Sequence, residues 1–177
     1  MKNINPYPDS ISNVAGKVYF LILFISIFWI VLIFAAPILN DSDGIFGKLS
    51  DFIYIFFSKV CHQDDARSFH FLNHIIGVCS RCIAIYLGFL AGVIFYPLKY
   101  KISNTNSPSV IFLFIASALL FADVIFEITG VWQNSFLSRS VTGVITGFIL
   151  PFYIIPGFVR FFYEINSFFK NKINYKI

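Results

Sequence analysis

Residues 18–39 read VYFLILFISIFWIVLIFAAPIL, and this stretch decides the class of the protein. As a helix, a run of about twenty apolar residues crosses a hydrocarbon core about 30 Å thick. The run is longer than the roughly 7–15 apolar residues of a signal-peptide core, and a long polar segment precedes it. We therefore expect a retained transmembrane helix, with residues 1–17 as a cytoplasmic N-terminal segment.

Three further apolar runs of similar length follow along the chain. They are Val78–Leu98, Val110–Ile128 and Val141–Phe162. The last run contains Pro151 and Pro156, which a membrane helix tolerates as kinks when its neighbours satisfy the freed carbonyl groups. The sequence thus predicts an all-α integral membrane protein of about four transmembrane helices. Its membrane domain would cover residues 18–162, and a basic cytoplasmic tail would cover residues 163–177.

The segment between the first two predicted spans contains no second crossing helix. Its most apolar piece, Phe52–Phe57, is too short to span a bilayer and is flanked by Asp51 and Lys59. A short apolar piece between charged residues is typical of a helix that lies in the membrane interface. We expect a short interfacial or half-inserted helix here, within the region 45–82.

The composition agrees with a membrane protein and excludes other classes. Hydrophobic residues make up 58% of the chain and charged residues only 12%, whereas about 25% charged residues is usual in soluble domains. A soluble fold would leave much of the apolar surface of 24 phenylalanines in water. The basic residues behind the net charge of +4 lie at segment ends and form no basic stripe. The expected partner is the lipid bilayer, and no nucleic acid is expected.

The basic residues also predict the orientation, because four spans place both termini on one side of the membrane. One side then carries eight basic residues, Lys2, Lys17, Lys99, Lys101, Arg160, Lys170, Lys172 and Lys176, and the other carries five, Lys48, Lys59, Arg67, Arg81 and Arg139. Cytoplasmic loops carry an excess of lysine and arginine. We therefore expect both termini in the cytoplasm, the region 45–82 facing outward, and the cell (inner) membrane as the location.

Small residues recur every fourth position on two of the predicted spans. They are Ala84, Gly88 and Gly92 on the second span and Gly143 and Gly147 on the fourth. This spacing lets helix backbones approach closely in lipid. It predicts close helix packing within one chain or, alternatively, a homodimer interface.

Three cysteines suggest a site at the outer end of the second span. They are Cys61, Cys79 and Cys82. The C-x-x-C pair suits a tetrahedral metal ion or a reactive dithiol, and three cysteines with one histidine form a common zinc ligand set. Adjacent Cys61 and His62 cannot easily both reach one ion, so His74 or His70 is the alternative fourth ligand. The predicted metal ligands are therefore the three cysteines with His62 or His74, and the ion is zinc or another transition metal.

His70 and His74 lie four residues apart, so they would share a face if this stretch were helical.

A second group of polar residues is expected at the same membrane level as the cysteines. Its members are Gln63, Arg67, Ser68, Arg81, Asp123, Glu127 and Arg139. Asp123 and Glu127 share a helix face, and ionisable groups inside spans usually face the bundle interior. Either carboxylate could pair with Arg81 or Arg139.

Three alternatives to metal binding use the same residues. In a thiol-disulfide oxidoreductase, Cys79 and Cys82 would cycle as a disulfide, with Cys61 as a resolving thiol. In an enzyme or transporter acting on an anionic lipid head group, the arginines would hold the phosphate and His62 or His74 would act as acid or base. In a non-catalytic membrane subunit, the polar residues would serve folding alone.

The motifs resemble a family of predicted membrane proteins, the domain-of-unknown-function family numbered 2085. They are Cys61-His62-Gln63, Arg67-Ser68-Phe69, Cys79-Ser80-Arg81-Cys82 with Ile85-Tyr86 and Gly88, the acidic Asp123, and Arg139 with Thr142-Gly143. The resemblance covers roughly residues 55–150, and His74 is similar to a histidine of that pattern. Ile83-Ala84 stands where the family commonly has threonine and glycine. The resemblance implies a protein of several spans with a shared polar site, and it implies no reaction.

Overall fold

The structure, a computed structural model, describes residues 11–131 and 134–174, with side chains as far as residue 168. Its helices are α1 (Ile11–Leu39), α2 (Ile45–Ser58), α3 (Ser80–Lys99), α4 (Ile111–Ile128), α5 (Phe136–Ile149) and α6 (Pro151–Asn174). Between α2 and α3 lie a short 3-10 turn (Asp65–Arg67) and an antiparallel hairpin of two strands, β1 (His70–Phe71) and β2 (His74–Ile75). Lys2 and Lys176, which entered the charge comparison, lie outside the described residues.

Four helical segments of the described chain are long and apolar enough to cross a membrane. They are α1, α3, α4 and the stretch Phe136–Phe168 formed by α5 and α6. With the shorter α2 between the first two spans, this confirms the predicted all-α membrane fold. α1 begins at Ile11, upstream of the predicted Val18, so its helix extends beyond the apolar run. The fourth span is interrupted at Leu150, because Pro151 has no N–H and fits best in the first turn of α6.

The most extensive helix contact joins α3 and α5 through their spaced glycines. A Cβ added at Gly88 would lie 2.5 Å from the carbonyl oxygen of Val144, and one added at Gly143 would lie 2.8 Å from that of Arg81. Any residue larger than glycine would push the helices apart at these points. The spacing of small residues therefore allows close packing of helices within one chain, which is one of the two predictions made from it. Arg81 and Arg139 both contact Glu127 of α4, so they lie at the same end of the bundle.

The last turns of α1 bind both segments that follow it. Pro37 lacks an N–H, so the carbonyl oxygen of Ile33 loses its usual helical donor. The N–H of Gly77 donates to that oxygen at 3.3 Å. Ser50 of α2 donates from its hydroxyl to the carbonyl oxygen of Ala36 at 2.7 Å. α1 therefore fixes the position of α2 and of the chain that leads into α3.

The stretch with His70 and His74 forms a hairpin and not a helix. Leu72 and Asn73 have φ angles of 52° and 65°, the left-handed conformation of both central residues in the commonest tight hairpin turn. Phe71 is paired with His74 across the strands. The two histidines therefore do not share a helix face.

Candidate metal centre

The three thiol groups meet at the start of α3. The Sγ atoms of Cys61, Cys79 and Cys82 all lie within 4.8 Å of one another. Cys79 precedes the first residue of α3 and Cys82 lies in its first turn, so one helix end supplies both thiols. Cys61 follows the end of α2, where its N–H donates to the carbonyl oxygen of Phe57 at 2.9 Å. The backbone N–H of Cys79 donates to Cys61 Sγ at 3.1 Å, which joins the two segments directly.

The thiol separations fit a metal ion. Zinc–sulfur bonds of about 2.3 Å place the sulfur atoms of a tetrahedral site roughly 3.8 Å apart. Sulfur atoms within 4.8 Å reach that separation with small side-chain rotations. The three cysteines are therefore close enough to bind one metal ion together.

The environment of Cys61 is apolar but stabilises its thiolate. Its side chain is buried in a cluster with Ile33, Phe57, Val78 and Ile83. Hydrogen bonds from the thiols of Cys79 and Cys82 hold the pKa of Cys61 far below its usual range, although burial opposes this effect. Hydrogen bonds to a charged form favour that form. The neighbouring thiols therefore lower the pKa of Cys61, in the loop before α3, against the effect of its apolar surroundings.

Gln63 positions Cys61 relative to α3. Its Nε2 donates to the carbonyl oxygens of Tyr54 at 3.0 Å and Gly77 at 2.8 Å. The backbone of Gln63 has a φ of 50°, the left-handed conformation that turns the chain at this point. The side chain thereby ties the end of α2 to the segment before Cys79. Gln63, a predicted member of the polar site, therefore connects the backbone segments that lead to Cys61 and to Cys79.

Neither predicted histidine ligand lies with the thiols of Cys61, Cys79 and Cys82. His62 is exposed. His74 lies with Nε2 2.8 Å from Asp41 Oδ1 and with Nδ1 3.0 Å from Asn40 Nδ2. Sequence reasoning missed Asn40 and Asp41, for which the only signal was a polar pair directly after a span.

The arginines and carboxylates form a second group between α3, α4 and α5. Neighbouring residues on a helix point about 100° apart, so Arg81 turns away from Cys82. Its Nη2 lies 2.5 Å from Asp123 Oδ2 and 3.1 Å from Glu127 Oε2. Arg139 Nη2 lies 2.6 Å from Glu127 Oε1. Asp123 therefore pairs with Arg81, whereas Glu127 pairs with both arginines; the sequence left these pairings open.

Further polar contacts complete this ionic group. Arg67 Nη1 lies 3.2 Å from Glu127 Oε1, and Ser138 donates from its hydroxyl to Asp123. Asn134 Nδ2 donates to the backbone carbonyl oxygen of Asp123 at 2.7 Å. Sequence reasoning missed Ser138, which shares a face of α5 with Thr142. Each of the three arginines that could hold a phosphate contacts a carboxylate instead. Binding of an anionic lipid head group stays a prediction.

Ser68, the remaining predicted polar residue, belongs to the loop. Its hydroxyl donates to the carbonyl oxygen of Asp64 at 2.7 Å, and its side chain is buried. Arg67, beside it, also lies 3.0 Å from Asp64 Oδ2 through its Nε. The residues that the sequence predicted as one polar site thus form two clusters. The three cysteines meet at the start of α3, and the arginines and carboxylates lie at another face of that helix.

Comparison with known proteins agrees with these motifs. The family described as a predicted membrane protein, DUF2085, matches residues 61–153, which contain all three cysteines and the ionic group. An uncharacterised protein of Methanocaldococcus jannaschii is 34% identical over 152 residues, which cover 84% of this chain and 97% of that protein. An uncharacterised protein of Methanothermobacter thermautotrophicus is 29% identical over 94 residues, or 51% of this chain and 80% of that protein. No solved structure matches. The chain belongs to the DUF2085 family of predicted membrane proteins.

Proposed function

We propose that this membrane protein binds a transition-metal ion through Cys61, Cys79 and Cys82. The observation that carries the proposal is the convergence of three thiols, from two separate segments, within 4.8 Å. Soft thiolate ligands favour ions such as zinc and copper(I). The first turn of α3 lies beside the thiols, and the positive end of a helix stabilises the negative charge of a metal–thiolate group.

Replacing any one of the three cysteines by serine should abolish most metal binding, because each thiolate contributes a bond that serine does not replace. The measurement is metal content per chain of detergent-purified protein, prepared with reductant and then counted for reactive thiols. The control is Ser80→Ala, which lies between two of the cysteines and whose buried hydroxyl has no hydrogen-bond partner among the residues that the structure describes. Metal-free wild type with three normally folded serine variants would contradict the proposal.

Thiol-disulfide exchange is the second candidate, favoured by three free thiols that lie within 4.8 Å of one another. In that reaction the thiolate of Cys79 or Cys82, which are less buried than Cys61, attacks a substrate disulfide and forms a mixed disulfide, while a substrate thiolate leaves. Attack by the other cysteine of this pair on the protein sulfur of the mixed disulfide then releases the second substrate thiolate. Of the two variants Cys61→Ser/Cys79→Ser and Cys61→Ser/Cys82→Ser, the one that keeps the attacking cysteine should trap the mixed disulfide with a model disulfide substrate. Metal loss without any trapped species would favour the metal site.

We also propose that residues 1–17 and 163–177 are cytoplasmic and that the thiol group faces outward. The excess of basic residues on the side of the termini supports this orientation. A reporter fused after Ile177, or inserted at Asn106 between α3 and α4, should behave as cytoplasmic. A reporter inserted at Gly44, in the turn after α1, should behave as external. The same compartment for Gly44 and Ile177 would contradict four membrane crossings.

A further inference from the structure

We infer that the ion held by the three thiols is copper(I), bound by sulfur alone in a site of three ligands. This inference rests on the proposed metal-binding function and adds the identity of the ion and its coordination number. Zinc in proteins takes four ligands, and its catalytic sites complete three protein ligands with water. Copper(I) is a softer, monovalent ion that thiolates select and that is stable with two or three sulfur ligands.

The kinds of ligand atom at the site favour copper(I). Among the described residues, the group of ligand atoms within 4.8 Å consists of three cysteine sulfurs and includes no histidine or carboxylate. Four-ligand zinc would need a nitrogen or oxygen donor from elsewhere. Three sulfur atoms close to one another complete a site for an ion of low coordination number without a further donor.

The potential harder donors of the surrounding loop are held in other contacts. His74 lies 2.8 Å from Asp41, and His70 Nε2 lies 3.0 Å from Asp65 Oδ1. The Asp64 carboxylate is bound to an arginine. Each of these pairs would have to break before its nitrogen or oxygen could join the thiols. His62 remains as the neighbouring imidazole, and the histidine variants below test it directly.

The surroundings of the thiols also disfavour a bound water as fourth ligand. Ile33, Phe57, Val78 and Ile83 form the buried side of the site, and Trp29 packs against this cluster. Cys61 is only 5% exposed, whereas Cys79 and Cys82 are half-buried. A water molecule in such a site needs two to four polar partners, and the four hydrocarbon side chains supply none. On its buried side, the site therefore suits an ion that needs no water.

The test loads the full-length protein, anaerobically and in detergent, with copper(I) or with Zn²⁺. Each sample then passes through a desalting column containing a chelator for that ion, and retained metal per chain is measured. The wild type should retain one copper(I) and lose Zn²⁺. His62→Ala and His74→Ala should retain copper(I) as the wild type does. X-ray absorption of the loaded wild type should show three sulfur ligands and no nitrogen or oxygen.

Retention of Zn²⁺ with a nitrogen or oxygen ligand, lost in His62→Ala or His74→Ala, would overturn the inference and leave metal binding intact. Equal copper(I) retention by a Cys61→Ser/Cys79→Ser/Cys82→Ser variant would overturn it as binding unrelated to the thiols. Retention of neither ion by folded wild type would remove the proposed metal-binding function itself. The absorption measurement on wild type decides the coordination even if the triple variant does not fold.

Discussion

Replacing Glu127 by alanine should lower the free energy of unfolding by about 3–5 kcal/mol, the usual cost of leaving a buried charge without its partner. Within the described residues, the carboxylate partner of Arg139 is Glu127, and the arginine side chain is only 10% exposed. The same carboxylate contacts Arg81 and Arg67. Its loss leaves the guanidinium of Arg139 without this carboxylate and removes one ion pair each from Arg81 and Arg67. Unfolding of detergent-solubilised protein, followed by circular dichroism, measures the effect.

The double variant Glu127→Ala/Arg139→Met separates a lost ion pair from a lost side chain. It should be destabilised less than Glu127→Ala alone, because the unpaired cation is also removed. The control is Glu164→Gln, which breaks the exposed Arg160–Glu164 pair and should cost less than about 1 kcal/mol. Strictly additive effects of the two substitutions would show that Glu127 and Arg139 do not interact.

Replacing Gly88 by alanine should destabilise the protein by roughly 1–3 kcal/mol or more, as overpacked interiors are. The new Cβ would lie 2.5 Å from the carbonyl oxygen of Val144 and 2.9 Å from its Cα, and neither backbone atom can rotate away. Separation of α3 from α5 would also stretch the contacts of Arg81 with α4. The unfolding midpoint of purified protein, with metal content as a second measurement, tests this result.

The control for Gly88 is the same substitution at Gly16 of α1 or Gly157 of α6, where an added Cβ meets no atom of another described segment within 4 Å. At such sites alanine should leave stability unchanged or raise it slightly, since glycine costs about 1 kcal/mol in a helix interior. If Gly88→Ala behaves as Gly157→Ala does, the close contact of α3 with α5 is not present in the folded protein.

Hydropathy predicted the spans because a bilayer demands long apolar helices, and it was less informative about their ends. α1 extends back to Ile11 because a helix continues through Gly16 and Lys17, which end an apolar run but not a helix. The hairpin around Leu72 could not be read from the sequence, because neither Leu72 nor Asn73 is glycine. Left-handed leucine is uncommon, so a propensity argument points elsewhere.

At the site, the sequence placed the three cysteines together, but it left the partners of the charged residues open. The C-x-x-C motif brought Cys79 and Cys82 together through local geometry alone. The separation of Arg81 from Cys82 also follows from helix geometry, since adjacent positions face different neighbours. The choice of Asp123 as the partner of Arg81 depends on how α3 and α4 are rotated in the bundle. A periodic pattern does not specify that rotation.

The hydrogen bond from Gly77 to Ile33 has a consequence for biogenesis. Synthesis runs from the N-terminus, so α1 leaves the ribosome well before the segment that carries Cys79 and Cys82. The free carbonyl oxygen above Pro37 is then already present in the inserted helix when Gly77 arrives. Gly77 lies two residues before Cys79, so this bond helps to position the late pair of cysteines. We therefore expect the three thiols to come together after α1 has entered the membrane, although α1 itself contributes none of them.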